Sequence, residues 1–136
     1  MESKYFVPFE TAKLLKEKGY DTEISFYYIT DGVLKSHAGF DREVWDGDPC
    51  LLDYSNSDLQ KWYREENYIA APTYHEVLDW LENKDIIIES TKRWVRGNYY
   101  SWFSDVHQYN GPIETFIDET REEAINQAII YAIEIL

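Results

Sequence analysis

The sequence predicts an α+β fold: an antiparallel sheet, made of an N-terminal hairpin plus a three-stranded C-terminal meander, packed with about four helices. Three observations carry this. Residues 85–118 alternate in polarity around two glycine-containing pairs, Gly97-Asn98 and Asn110-Gly111, which are the turn signals of a meander. Helical apolar spacing recurs, three times behind a Ser/Thr-x-x-Glu/Gln capping box. The 136 residues are 44% hydrophobic and 17% aromatic, too apolar for disorder and sufficient for one core. A single domain over 1–136 is expected.

The first helix spans about Pro8 to Lys18. Proline suits a first turn, where its missing N–H is no loss. Gly19 and Tyr20 then fit a Schellman closure over Leu15. Glu23–Ile29 alternates Ile24, Phe26 and Tyr28 against Tyr27 and Ile29, as a strand does. Asp31-Gly32 signals a hairpin, with Val33–His37 returning.

Residues 38–57 form a long loop within the domain, with Gly39, Gly47, Pro49 and several Asp residues. Trp45, Cys50, Leu51 and Leu52 pack part of it down. Loops this long are often functional or mobile. Ser57-Asp58-Leu59-Gln60 reads as a capping box opening a helix to about Glu66, and Asn67–Pro72 is extended. Thr73-Tyr74-His75-Glu76 is a second box, with Tyr74, Val77, Leu78 and Leu81 at i, i+3, i+4, i+7.

In the meander, two-residue turns place Arg96 opposite Tyr99, Arg93 opposite Trp102 and Glu89 opposite Val106. They place Tyr109 opposite Pro112, His107 opposite Glu114 and Asp105 opposite Phe116. The helix-covered face then carries Ile87, Val95, Tyr100, Trp102, Val106, Ile113 and Ile117. The opposite face, partly wet, carries Ile88, Trp94, Phe103, Phe116, Lys92, Asp105, His107, Glu114 and Asp118. Thr120-Arg121-Glu122-Glu123 is a third box. The closing helix is apolar well beyond one stripe, through Ile125, Ala128, Ile129, Ala132, Ile133 and Leu136. Such a helix is central to the core or partly covered by a second subunit. The reading taken is both, with a homodimer contact through 120–136.

The net charge of −13 opposes nonspecific nucleic-acid binding, which needs clustered Lys and Arg. It fits a soluble protein and leaves open an acidic nucleic-acid mimic. No apolar run approaches a bilayer span, and the first residues lack a signal-peptide pattern. The lone cysteine, Cys50, excludes an internal disulfide framework and suits a cytoplasmic location.

There is no phosphate-binding loop, dinucleotide fingerprint, HExxH, CxxC pair or G-x-S-x-G, so no cofactor, metal or catalytic set is assigned. The best constellation is Asp105, His107 and Glu114 on one face, an acid–base pair or metal site in the making. A cross-strand charge pair on a wet face outweighs it. The second is Lys92, Arg93, Trp94, Arg96 and Tyr99, basic groups beside aromatics that could stack and bind single-stranded nucleic acid. Sheet packing and a cation–π contact outweigh that.

Leu59-Gln60-Lys61-Trp62-Tyr63-Arg64-Glu65-Glu66 resembles the Q-K-W-L-R-E-K stretch of small uncharacterised phage and prophage proteins of gut Bacteroides-group bacteria. Leu15–Tyr20, Ala71–Tyr74, Val77–Leu81 and Glu122–Ile125 are similar too. Tyr63 stands where that pattern has Leu, and Gly39–Asp53 has no counterpart. The resemblance implies a mobile-element origin and a cytoplasmic host setting, and no activity. The expectation is a small non-catalytic protein acting through protein–protein contacts, with an unknown protein as partner, host proteins among the candidates. An enzyme or metal-binding protein using Asp105, His107 and Glu114 is the first alternative; a nucleic-acid mimic or binder is the second.

Overall fold

The computed structural model describes residues 3–29, 32–36, 55–62, 68–95, 99–109 and 111–136. Cys50, residues 38–54, Arg96, the Gly97-Asn98 turn and Asn110 lie outside the described residues, as do the side chains of Val95, Tyr99 and Tyr100. The fold is α+β, with four α-helices and two three-stranded antiparallel sheets among the described residues. The chain divides into two compact units, residues 6–72 and residues 1–5 with 73–136. Among the described residues no helix is long and apolar enough to cross a membrane.

In the 6–72 unit, α1 (Phe9–Glu17) closes as the sequence predicts. The Tyr20 N–H reaches the Leu15 carbonyl at 2.9 Å and the Gly19 N–H reaches Lys16 at 3.1 Å. Gly19 has φ +89°, so the Schellman pattern is complete. Strands β1 (Phe26–Tyr28), β2 (Leu34–Ser36) and β3 (Ile69–Ala70) form a sheet in the order β2-β1-β3. The strand expected over Glu23–Ile29 is shorter, and its alternation fails because β1 is central. Tyr27 and Tyr28 are both buried. Tyr27 packs with Ile24, Leu59 and Ala70. Tyr28 meets the Phe9 ring at 5.5 Å and donates its hydroxyl to the Val7 carbonyl at 2.6 Å.

Helix α2 (Asn56–Trp62) begins before the expected box. Ser55 caps it, taking the Asp58 N–H at 3.2 Å, while Asp58 Oδ2 takes the Ser55 N–H at 3.1 Å. The working box is therefore Ser55-Asn56-Ser57-Asp58. Ser57 instead gives its N–H and hydroxyl to Asp21, at 2.7 and 2.6 Å. Burial works against charge on Asp21, but the Ser57 bonds outweigh it and hold this carboxyl below its ordinary value.

In the other unit, α3 (Tyr74–Glu82) carries the full Thr73–Glu76 capping box. It closes through Asp85 at φ +63°, with Ile86 N–H on the Leu81 carbonyl at 3.0 Å. The meander follows as β4 (Ile87–Val95), β5 (Tyr99–Gln108) and β6 (Gly111–Asp118), in that spatial order. Helix α4 (Arg121–Glu134) lies on one face. The Thr120 hydroxyl takes the Glu123 N–H at 3.2 Å, but the Thr120 N–H turns to Asp118 rather than to Glu123. Most of the wide apolar surface of α4 is buried within the chain itself, from Ala124 to Ile133. Val77, Leu81, Ile86 and Val106 are buried as well.

The expected register is displaced in both hairpins. Val95 pairs with Tyr99, so three residues, 96–98, separate the strands rather than two. Arg93 faces Ser101, Lys92 faces Trp102, and Glu89 faces Asp105. In the second hairpin Gln108 pairs with Gly111 and His107 with Pro112, so Tyr109 and Asn110 link the strands. A bulge at Val106/His107 then sets Val106 opposite Glu114 and Asp105 opposite Thr115. A one-residue slip turns every side chain of a strand to the other face. The central strand keeps its predicted faces, with Val106 buried; the two outer strands are reversed. Ile87 and Ile117, expected under the helix, are 48% and 54% exposed. Phe116, expected on the wet face, packs on Tyr131 of α4 at 5.6 Å, and Asp118 accepts from Gln127 at 3.0 Å.

Candidate functional site

The face of the meander away from α4 brings together Ile87, Glu89, Thr91 and Arg93 of β4, Phe103, Asp105 and His107 of β5, and Thr115 and Ile117 of β6. They share that face because each set sits at alternate positions of its strand and the register aligns the sets.

Its centre is a bonded cluster. Arg93 Nη2 donates to Asp105 Oδ2 at 2.6 Å, and Arg93 Nε donates to Thr91 Oγ1 at 2.9 Å. The guanidinium carbon lies 4.7 Å from the Phe103 ring centre. Thr115 Oγ1 donates to Asp105 Oδ1 at 2.7 Å. Burial works against charge on Asp105, but the Thr115 bond, the Arg93 bond and charge, and His107 prevail, holding its carboxyl below the ordinary value.

Glu89 and Asp105 are directly opposed, a like-charge pair that alone would destabilise the sheet. Arg93, four residues along β4 from Glu89, offsets it by bonding Asp105, and His107 Nε2 lies 3.6 Å from Glu89 Oε2. That last distance is beyond hydrogen-bond reach, and Nε2 is buried without a hydrogen bond.

The sequence-derived constellation is divided by the sheet. Asp105 and His107 share the open face, whereas Glu114 sits opposite Val106 on the other. The bulge is the cause, since without it the pairing of His107 with Pro112 would continue to set Glu114 opposite Asp105. Among the described residues no three His, Cys, Asp or Glu side chains group as a metal set. The basic, aromatic run is divided as well. Arg93 is on the open face, while Lys92 and Trp94 alternate to the helix side, where Lys92 Nζ lies 6.0 Å from the Trp102 ring centre. Arg96 and the Tyr99 side chain lie outside the described residues. His75 is largely exposed, 3.6 Å from Asp79.

Phe103 keeps its expected face, whereas Thr91, Thr115, Ile87 and Ile117 were not anticipated on it. Their signal is the register itself, which the turn pairs misplace by one residue. The arrangement is suited to recognition. A guanidinium fixed by a carboxylate, a hydroxyl and an aromatic ring keeps unused donors, and exposed aliphatic groups lie beside it.

No protein-family model matches the chain, and no curated protein or solved structure gives a significant match.

Proposed function

We propose that this is a non-catalytic protein acting through protein–protein contact, with the open face of the meander as its docking surface. The observation that carries the reading is the pairing of exposed Ile87 and Ile117 with the fixed Arg93–Asp105–Thr115 cluster. Interfaces draw their energy from apolar and Arg anchors whose geometry is set before binding. The phage or prophage setting, a host protein as partner and a cytoplasmic location rest on the resemblance at Leu59–Glu66 and on the lone cysteine, and form part of the same proposal.

Affinity capture from bacterial lysate, comparing the natural chain with Ile117→Asp, tests it. Ile117 is more than half exposed, so the variant should fold normally and lose the retained protein. A chain that retains nothing, or a variant that retains the same protein equally well, refutes the reading.

A further inference from the structure

The two outer edges of the meander differ. β6 is closed by three devices. Pro112 has no N–H, the pairing is bulged beside it, and Glu114 Oε1 takes the Thr115 N–H at 3.1 Å. Natural sheets blunt edges in these ways. β4 has none of them. Its nine residues pair with β5 in unbroken register, without proline or bulge, and among the described residues no strand lies on its other side.

What this edge fits follows from its own sequence, Ile-Ile-Glu-Ser-Thr-Lys-Arg-Trp-Val. In an antiparallel pair, opposed residues both direct their backbone groups across the shared edge, or both direct them away. Two copies of one strand therefore pair about a residue, never between two. A centre at Ser90 would set Ile88 against Lys92 and Ile87 against Arg93. A centre at Lys92 would set Glu89 against Val95. A centre at Thr91 sets Glu89 against Arg93, Ile88 against Trp94 and Ile87 against Val95, each of them twice by symmetry. That centre alone matches charge with opposite charge and apolar with apolar.

The geometry points to a two-fold dimer in which β4 pairs antiparallel with β4 of a second copy about Thr91, joining two meanders into one six-stranded sheet. The side chains are accessible for this: Trp94 is 62% exposed, and Glu89 and Arg93 are exposed on the open face. Arg93 has five N–H donors, and its two bonds within the chain leave others for the partner's Glu89. Its charge then lies between Asp105 of its own chain and that second carboxylate. The two-fold axis runs perpendicular to the sheet, so both open faces lie on the same side. The net charge of −13 on each copy opposes approach, but salt at physiological strength screens it over about 8 Å. This contact is made along the β4 edge, with Ile87, Glu89 and Arg93 contributing from the open face, and it does not rest on the function proposed above.

Sedimentation equilibrium at physiological ionic strength tests it. The natural chain should dimerise with concentration. Glu89→Arg and Arg93→Glu should each weaken the dimer by about tenfold or more, because like charges then oppose each other twice. Mixed in equal amounts, these two variants should form a heterodimer, since every opposed pair is again of opposite sign. In a Cys50→Ser background, Thr91→Cys should give a disulfide-linked dimer on mild oxidation. Opposed Cα atoms of an antiparallel pair lie about 4.5–5.5 Å apart, inside the disulfide range. The crosslink also decides the matter if a charge variant fails to fold. A natural chain that stays monomeric to sub-millimolar concentration overturns the proposal. So does a dimer indifferent to both charge variants, or one that gives no Thr91→Cys crosslink.

Discussion

Asn56→Ala should be the most damaging single polar substitution in the 6–72 unit. The Asn56 side chain is buried and joins two segments far apart in sequence. Its Nδ2 donates to the Tyr20 carbonyl at 2.7 Å, and its Oδ1 accepts the Ala70 N–H at 2.8 Å. One bond fastens the closed end of α1 and the other fastens β3. Alanine removes both at once. Tyr20 and Ala70 are each only 1% exposed, so water cannot replace the lost partner without opening the unit. Losing one partner of a buried hydrogen bond costs about 1–3 kcal/mol, so the two together cost about 2–6 kcal/mol. Against a total stability of about 5–15 kcal/mol, that is a large fraction. Urea unfolding followed by circular dichroism and tryptophan fluorescence reads the change as a lower midpoint. Amide exchange at Ala70 should accelerate in parallel. A loss below about 1 kcal/mol, with Ala70 exchange unchanged, would refute the claim that this side chain carries both bonds.

Three further outcomes are expected. Thr73→Ala breaks the capping box of α3 and should cost about 1 kcal/mol in thermal or urea unfolding. Asp85→Gly should stabilise by about 0.5–1 kcal/mol, because Asp85 sits at φ +63°, where glycine avoids the left-handed penalty at a smaller entropic cost. The Asp105 carboxyl lies below its ordinary value of 3.8. Its contribution to stability is therefore complete above that value and disappears as pH falls through the folded-state value. Asp105→Asn should flatten the acid limb of the stability-against-pH curve below about pH 4 and leave its shape near neutrality unchanged.

The local chemistry of this chain was legible in the order of its residues. The Schellman closure at Gly19 and Tyr20, the Thr73–Glu76 box and the α+β class each depend on groups only a few positions apart, and the fold realises them. At α2, where the sequence predicts the cap at Ser57, a distant partner decided otherwise. Asp21 takes the Ser57 groups, and Ser55 becomes the cap. Reaching Asp21 requires the end of α1 to be in place first, and no local pattern states that.

Register was decided by tertiary structure for a related reason. Side chains alternate with a period of two, so one residue more between strands exchanges the faces of a whole strand. Gly97-Asn98 and Asn110-Gly111 mark where the chain turns, but not that three residues separate β4 from β5 or that a bulge at Val106/His107 shifts β6. Packing settles that, by burying Ile86 and Val106 and setting Phe116 against Tyr131. The same choice separates Glu114 from His107 and brings Arg93 to Asp105. Sequence alone therefore determined the kinds of element, their order and those ends that close through local bonds. Tertiary packing determined which side chains share a face, and with that the site.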